Sequence, residues 1–280
     1  MKRTLAIVGA GRVGRALGRR LAERGWAVGP VAGRSESSAR AAVRAIGAGT
    51  PYGTLVREIL RAQLILITVP DDAIPSVARR LAKLAPRENL AGCVVLHTSG
   101  AVPSAALAPL AKRGASVASM HPLQTFAHGV RSRLAGVTFA IEGQPSACRL
   151  ARRLARELGA KPVVIHPEAK ALYHAAGAFA SPHLLAALAA GAAMLQKSGF
   201  SEREARRALS RLARQTLENF EQLGARRSWT GPVSRGDRST IRRHEAALKK
   251  LPAEFRATYR ALTKLQSRLL RPPRRVPPRA

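Results

Sequence analysis

The feature that most constrains the fold is a glycine motif between a strand and a helix near the start of the chain. Leu5–Val8 is a short apolar run typical of a buried strand, and residues 15–24 have helical spacing. Between them, Gly9, Gly11 and Gly14 form a G-x-G-x-x-G pattern. In this setting the first glycine permits a tight turn, the second lets a pyrophosphate approach the backbone, and the third lets the helix pack on the strand. The motif predicts a dinucleotide site, unless the turn has lost its ligand.

The residues after the second predicted strand, at positions 27–32, indicate which dinucleotide binds. Proteins that bind NAD carry an acidic residue roughly 20 positions beyond the glycines, where it holds the ribose hydroxyls. Arg34 occupies that place, and its guanidinium with the hydroxyls of Ser35 and Ser37 suits the 2′-phosphate of NADP. NADP is therefore the predicted cofactor; the alternative is an ordinary exposed arginine. The predicted cofactor contacts are Gly9, Ala10, Gly11, Arg12, Val13, Gly14, Gly33, Arg34, Ser35, Val69 and Pro70.

Strand-like and helical segments alternate along the first part of the chain and then give way to helices alone. The alternation continues as far as residue 167 and indicates a doubly wound parallel sheet. We therefore predict an α/β fold: an N-terminal Rossmann domain (1–167), an all-helical C-terminal domain for substrate and dimerisation (168–270), and a disordered basic tail (271–280). The later strands are predicted at 64–69, 93–97, 117–120, 137–141 and 162–165.

Composition limits the classes of partner. The 280 residues carry a formal net charge of +32, which attracts polyanions, but the basic residues are spread over many predicted helix faces. Only 4% of the residues are aromatic, which is few for base-stacking platforms, so specific nucleic-acid binding is not expected. The two cysteines make no disulfide framework and favour a cytoplasmic location. No metal site is predicted.

One long uncharged segment, Ala171–Leu195, is apolar enough to fit either a membrane span or a protein interior. It is rich in alanine and includes His174, Pro182 and His183, and polar groups are costly in lipid. A helix that is apolar on all sides is also typical of a buried central helix or of a subunit interface. We therefore predict burial in protein rather than a membrane span, and we expect Pro182 to interrupt the helix.

Polar residues follow three of the predicted strands, at the sheet edge where ligands of open α/β folds bind. Ser99, with Gly100, is a candidate to bind a substrate carboxylate, and His121 is a candidate catalytic residue. The alternatives are a simple turn for Ser99 and a structural role for His121. Asp71 and Asp72 follow an earlier strand, and their expected role is to cap the next helix.

Lys170 and His174 are the candidates for proton transfer. They lie four positions apart at the start of the long helix and therefore share one face, which we expect to border the cleft between the domains. Hydride transfer to or from a C–O or C–N bond needs a proton at the heteroatom, and either side chain supplies it once burial lowers the lysine pKa. A lysine in the first turn also opposes the helix dipole, which favours a specific role for Lys170. The alternative is a solvated lysine beside a core histidine.

The loop at residues 230–237 combines turn-forming residues with charges. Arg235 is a candidate to bind an anionic substrate or the cofactor phosphates, in its own subunit or in a second one. Asp237 is expected to cap the helix that follows. Upstream, Ser201 and Glu204 have the spacing of a capping box, which predicts another helix start.

These residues together resemble a known family over nearly the whole chain up to the tail. The stretches that carry the likeness are Gly9–Gly14, VPDDAI (69–74), HTSG (97–100), HPLQTF (121–126), KALYHAAGAFAS (170–181) and TGPVSRGD (230–237). The chain resembles Rossmann-like proteins with a C-terminal domain of unknown function (number 2520), in the superfamily of 6-phosphogluconate and 3-hydroxyisobutyrate dehydrogenases. The resemblance implies NADP binding and an all-helical second domain that makes a dimer.

The resemblance also implies roles for individual residues. In the wider superfamily a lysine and an asparagine four positions apart serve proton transfer and substrate contact, and Lys170 and His174 have that spacing, with histidine in place of asparagine. A Ser-Gly pair after a strand contacts substrate carboxylates in relatives, and Ser99 with Gly100 matches it. His121, which precedes a proline, is similar to the His-Pro of prephenate dehydrogenases.

Two functions fit these observations. The first is an NADP-dependent oxidoreductase that transfers hydride to or from a small anionic carbonyl, hydroxy or imine compound, with Lys170, His174, Ser99 and His121 as catalytic residues and Gly100 and Arg235 as substrate contacts. The second is a non-catalytic protein that senses NADP(H) and regulates a partner. The two differ in whether a proton donor lies beside the cofactor.

Overall fold

The computed structural model describes residues 3–85, 90–127 and 133–270. These residues form two compact units, divided between Ser181 and Pro182. The predicted domain boundary after residue 167 stays a prediction, as does the disordered tail, since residues 271–280 lie outside the described residues.

The first unit is built on an eight-stranded sheet. Its strands are β1 (Thr4–Val8), β2 (Ala27–Ala32), β3 (Thr50–Tyr52), β4 (Leu64–Ile67), β5 (Val94–His97), β6 (Ser116–Pro122), β7 (Thr138–Gly143) and β8 (Lys161–Val164). They follow the order β3-β2-β1-β4-β5-β6-β7-β8. All neighbours run parallel except β6 and β7, which pair antiparallel with Met120 opposite Ile141. A mostly parallel sheet followed by helices confirms the predicted fold class.

Helices accompany this sheet and enclose a core on each of its faces. They are α1 (Arg12–Ala22), α2 (Glu36–Ile46), α3 (Ile74–Leu84), α4 (Ala108–Ala111), α5 (Pro145–Glu157) and α6 (Lys170–Ala178). Successive residues of β1 enter different cores: Leu5 and Ile7 pack with Leu17 of α1, whereas Ala6 and Val8 join the opposite cluster. A strand covered on both faces must be apolar at every position, which explains the uninterrupted apolar runs in the sequence.

The entry into α3 differs from the expectation. The chain leaves β4 through a 3₁₀ turn, Asp71–Ala73, and continues directly into α3. Neither Asp71 nor Asp72 makes a side-chain cap bond at the start of the turn or of the helix, so the predicted capping role is wrong. The cause is that Ala73, the N-cap residue, is itself helical, whereas a side-chain cap requires an extended N-cap.

The second unit is helical throughout its described elements. Its helices are α7 (Leu184–Lys197), α8 (Glu202–Ser228), α9 (Pro232–Arg235), α10 (Arg238–Leu248) and α11 (Ala253–Leu269). Ser201 and Glu204 form the predicted capping box, and Asp237 Oδ1 accepts a hydrogen bond from the backbone N–H of Thr240 at 3.0 Å, as predicted for a cap. Gly224, with φ +72° and ψ 168°, breaks the regular geometry of α8.

The long apolar segment is interrupted and exposed. A π-helical turn, Phe179–His183, contains Pro182 and separates α6 from α7, as the proline predicted. Among the described residues, Pro167–Lys197 is the one helical stretch that is long and apolar enough to cross a membrane. None of the residues in its most apolar part is buried. Leu172 is 78% exposed and Leu185 is 67% exposed. Burial in the core of the chain is therefore wrong, because one chain leaves much of this apolar surface uncovered; a subunit interface stays a prediction.

Candidate functional site

The glycine turn after β1 is closed by backbone and threonine contacts. The N–H of Gly9 donates to the carbonyl of Ala32 at 2.9 Å, and Thr68 Oγ1 donates to the carbonyl of Gly9 at 2.8 Å. Gly9 has φ +117°, and a Cβ there would lie 2.6 Å from the carbonyl carbon of Thr68. A Cβ on Gly14 would overlap the carbonyl oxygen of Gly9. The fold itself therefore requires glycine at both positions.

Gly11 has no such structural reason. The nearest atom to a Cβ placed there is the carbonyl oxygen of Thr68 at 3.9 Å, and Gly11 is exposed. Gly11 is the N-cap of α1. This helix has no side-chain cap, and its first turn contains no acidic residue. The first N–H groups of α1 are thus free to bind an anion. A glycine that is not needed for the fold, in front of an uncapped helix, fits the approach of a pyrophosphate.

A cavity of about 740 Å³ opens from this turn along the carboxyl ends of β2, β1 and β4. Of the predicted cofactor contacts, Gly9, Ala10, Gly11, Gly33, Arg34, Val69 and Pro70 line it. Arg12, Val13, Gly14 and Ser35 are not among the lining residues, and Ser35 instead caps α2. The cavity is also lined by residues that were not predicted from the sequence: Val8, Arg15, Ala32, Ser38, Gly53, Thr54, Leu55, Thr68, Val77 and Arg80.

The charge of the cavity suits a phosphorylated ligand. Among the residues that the structure describes, Arg15, Arg34 and Arg80 line it and no acidic residue does. The side chain of Arg15 is partly committed, because its Nε donates to the carbonyl of Ala10 at 2.8 Å. Arg34 follows β2 and Arg80 lies on α3. These residues fit a dinucleotide that carries an extra phosphate, although the spacing in sequence pointed only to Arg34.

The turn after β5 places Ser99 and Gly100 beside the end of β6. Ser99 Oγ accepts hydrogen bonds from the backbone N–H groups of Ala101 at 3.1 Å and of Val102 at 2.9 Å. A Cβ on Gly100 would lie 2.6 Å from Cδ2 of His174 and 2.9 Å from Nε2 of His121. The structure therefore brings together Ser99, Gly100 and His121, which were predicted from the strand ends, and His174, which was predicted from its helix face.

Lys170 is placed differently from His174, although both belong to α6. Its side chain is 1% exposed, and its ammonium lies beneath the turn after β5, whereas His174 is exposed. Lys170 Nζ donates to the carbonyl of Ser99 at 2.9 Å and to Ser119 Oγ at 2.6 Å. The ammonium therefore supports the backbone of the turn after β5 rather than facing solvent.

Glu142, on β7, is the buried counter-charge of Lys170, and the sequence argument missed it. Its Oε1 lies 3.7 Å from Lys170 Nζ, and its two oxygens accept from the N–H and the hydroxyl of Ser104, both at 2.7 Å. Burial lowers the pKa of Lys170, and the charge of Glu142 opposes that shift. The signal available was a lone acid in an otherwise apolar strand, TFAIEG, where an unpaired carboxylate would be costly.

Besides the ion pair of Lys170 and Glu142, His121 and Tyr173 form a second pair. Together with Ser99, Gly100 and His174 they make up the cluster at this end of the sheet. His121 Nδ1 and the Tyr173 hydroxyl are 2.8 Å apart, and the two rings meet edge to face with centroids 5.5 Å apart. The ring of His174 packs edge to face on His121 from another side, at 5.8 Å. Burial, followed by the charges of His174 and Lys170, lowers the pKa of His121 to about 4. Burial raises the pKa of Tyr173 to about 12.

Two histidines, His97 at the end of β5 and His121 near the end of β6, make the stability of the fold depend on pH. Burial lowers the pKa of His97 to about 4, as it does for His121, whereas in an unfolded chain both titrate near 6.5. The unfolded state therefore binds more protons between these values, and the free energy of unfolding falls as the pH drops from about 6.5 to about 4. Each histidine contributes a slope of at most about 1.4 kcal/mol per pH unit. Denaturant titrations at stepped pH measure the slope; an equal slope in a folded His121→Asn variant contradicts this prediction.

Arg235 lies in the second unit. It is the last residue of the short helix α9 and is exposed. Its predicted contact with a substrate or a cofactor phosphate stays a prediction.

Two family models match the chain. The model of a Rossmann-like domain matches residues 1–122, and the model of a domain of unknown function (DUF2520) matches residues 137–266. No curated protein matches.

Several solved structures are similar over almost the whole length. Protein TM1727 from Thermotoga maritima is 25% identical with a TM-score of 0.69, and the alignment covers 95% of this chain and 98% of that one. An imine reductase from Pseudomonas sp. is 18% identical with a TM-score of 0.65, covering 96% and 95%. A reductive aminase from Aspergillus terreus, in complex with NADPH and ethyl-5-oxohexanoate, is 16% identical with a TM-score of 0.69, covering 96% and 95%. At these identities the last two share the fold alone.

Proposed function

Because the chain consists of a Rossmann-like domain followed by a DUF2520 domain, we propose that it is an NADP-dependent oxidoreductase of small carbonyl, hydroxy or imine compounds. One observation carries the proposal. The cavity, which none of the described carboxylates lines, lies at the carboxyl ends of β2, β1 and β4. The cluster of Ser99, His121 and His174 lies beside the ends of β5 and β6, next along the same sheet edge. Reductases that share the fold, one of them in complex with NADPH, support the same function.

Each group of residues along the carboxyl-terminal edge of the sheet has a chemical role in this proposal. The N–H groups at the start of α1 hold the pyrophosphate, and Arg34 and Arg80 hold the 2′-phosphate. When bound, NADPH supplies a hydride to the substrate carbon. The turn at Ser99 and Gly100 and the ring of His174 bind the substrate, which we propose is anionic because the carboxylate of Glu142 beside this turn is buried and paired with Lys170.

The choice of NADP over NAD is tested at Arg34. We expect the protein to bind NADPH more tightly than NADH, and Arg34→Ala to remove most of that difference, because charge-assisted hydrogen bonds to a phosphate contribute about 1.5–3 kcal/mol, or roughly 10- to 100-fold in Kd. Fluorescence titration with both cofactors measures the four affinities. Arg79→Ala is the matched control, since Arg79 neighbours Arg80 but does not line the cavity. Equal affinities of the unaltered protein for NADH and NADPH would show that the Arg34 assignment is wrong.

We also propose that the protein is a dimer through its C-terminal helices. The apolar side chains of Leu185 on α7 and of Leu212 and Phe220 on α8 are between 55% and 67% exposed, which is unusual for large apolar residues of a single helical unit. A second copy of the chain is the occupant that we propose for this surface. Sedimentation equilibrium of the purified protein distinguishes a dimer from a monomer.

A further inference from the structure

The ammonium of Lys170, the expected proton donor, is already held by contacts within the protein. Its ammonium has three N–H bonds, two of which go to the carbonyl of Ser99 and to Ser119 Oγ, while Glu142 lies 3.7 Å away. The side chain is 1% exposed, so a substrate that reached it would have to open this packed network. Proton transfer at the substrate therefore needs another group.

Tyr173 places a phenol hydroxyl, which can donate a proton, in this cluster. It lies on α6 one helical turn beyond Lys170, is only partly buried, and its hydroxyl meets His121 Nδ1 at 2.8 Å. The charged or titratable groups that act on His121 are Lys170 and His174, and the ring of His174 packs edge to face on its ring. His121 is fixed by these contacts, and Gly100 closes its Nε2 side, where there is no room for a Cβ.

We propose that Tyr173, oriented by His121, is the catalytic residue that exchanges a proton with the substrate oxygen, and that the substrate is a carbonyl compound or its alcohol. The inference rests on the oxidoreductase function proposed above. Within it, Lys170 and Glu142 hold the turn at Ser99 and do not exchange a proton with the substrate.

The step balances for a ketone or an aldehyde. As the carbonyl carbon gains the hydride, the π electron pair of the C=O bond moves onto the oxygen. The O–H bond of Tyr173 breaks, and its proton forms the new O–H bond of the alcohol. The phenolate that remains accepts a hydrogen bond from the Nδ1–H of His121 and regains a proton from water. The carbonyl compound is reduced, and the cofactor is oxidised.

The chemistry of a phenol favours a carbonyl over an imine. An alkoxide is a stronger base than a phenolate, so the proton moves downhill from Tyr173 to the nascent alcohol even though burial raises the pKa of Tyr173 to about 12. An imine is usually reduced as its iminium ion, which already carries the proton and needs no phenol. Turnover of carbonyl compounds should therefore depend on Tyr173, and any turnover of preformed iminium ions should not.

The first test needs no turnover. In the full-length protein with ¹⁵N-labelled histidine, the Nδ1 resonance of His121, assigned with His121→Asn, is expected to shift in Tyr173→Phe. Tyr259→Phe is the matched control, because Tyr259 makes the same kind of contact with His244, 2.9 Å from hydroxyl to Nδ1. A His121 resonance that does not change in Tyr173→Phe overturns the inference, whatever the activity.

The second test measures NADPH oxidation with small keto acids and with cyclic imines. Tyr173→Phe is expected to lower kcat for the keto acid roughly 100-fold or more, the usual contribution of a general acid, with KM changed by less than about threefold. His121→Phe is expected to lower kcat less, and the double variant to be no slower than Tyr173→Phe, because His121 acts through Tyr173. Tyr259→Phe is expected to behave as the unaltered protein.

The outcomes separate this inference from the function beneath it. A Tyr173→Phe variant that reduces keto acids at the original kcat, or a protein that reduces cyclic imines but no carbonyl compound, overturns the inference and leaves the oxidoreductase function standing. If the protein binds NADPH but oxidises it with neither carbonyl compounds nor cyclic imines, both the inference and the oxidoreductase function are overturned.

Discussion

Replacing Gly11 with alanine is expected to abolish most of the NADPH affinity while leaving the fold intact. A Cβ at this position meets nothing closer than 3.9 Å, so the free energy of unfolding should change by about 1 kcal/mol or less, the size of an N-cap effect. The same methyl group would occupy the space in which we propose that a pyrophosphate approaches the N–H groups of α1. Loss of one or two hydrogen bonds to a charged phosphate corresponds to a fall in affinity of roughly 10- to 100-fold or more.

Two other glycines provide the comparison. Gly14→Ala places a methyl group 2.5 Å from Thr68 Oγ1 and against the carbonyl oxygen of Gly9, so this variant is expected to lose stability as well as cofactor. Gly29→Ala on β2 meets only an ordinary contact, the carbonyl oxygen of Leu5 at 3.7 Å, and is expected to change neither property much. Denaturant unfolding and NADPH titration of the three variants measure both effects. Unaltered NADPH affinity in folded Gly11→Ala would contradict the assignment of this turn to the pyrophosphate.

Replacing Lys170 with methionine is expected to destabilise the protein by about 3–5 kcal/mol, the usual cost of leaving a buried charge without its partner. The carboxylate of Glu142, itself 2% exposed, would then keep only its two bonds from Ser104. The double variant Lys170→Met, Glu142→Gln removes both charges at similar volume and is expected to regain a large part of the lost stability. Denaturant unfolding of both single variants and the double variant gives the coupling energy. Additive losses would mean that the ion pair contributes little beyond its individual contacts.

The sequence was most informative where local chemistry alone decides the structure. The glycine turn, the buried parallel strands and the capping box at Ser201 depend on residues that are neighbours in the chain, and all three were predicted correctly. The family matches likewise confirm the resemblance to Rossmann-like proteins with a DUF2520 domain. The three-residue strand Thr50–Tyr52 was missed because it is too short to show a periodicity, and the antiparallel direction of β7 has no local signal.

The site was harder to predict, because its contacts join residues that are far apart in sequence. The rule that ligands bind at strand ends predicted that Ser99 and His121 lie close together, as they do in the structure. Helical spacing placed Lys170 and His174 on one face, but it does not tell how deeply each side chain is buried. Only the tertiary structure shows that Glu142 neutralises Lys170 across 28 residues of chain and that Tyr173, between the two predicted residues, meets His121.

The most direct test of the oxidoreductase function is whether a hydrogen moves from NADPH to carbon. Purified protein is mixed with NADPH that carries deuterium on the transferable position of C4 and with a panel of small keto acids, and the products are analysed by mass spectrometry. The proposed function predicts loss of NADPH absorbance only when substrate is present, with deuterium on the former carbonyl carbon of the alcohol. Tight NADPH binding without deuterium transfer to any keto acid or imine would contradict it and favour a protein that senses the cofactor.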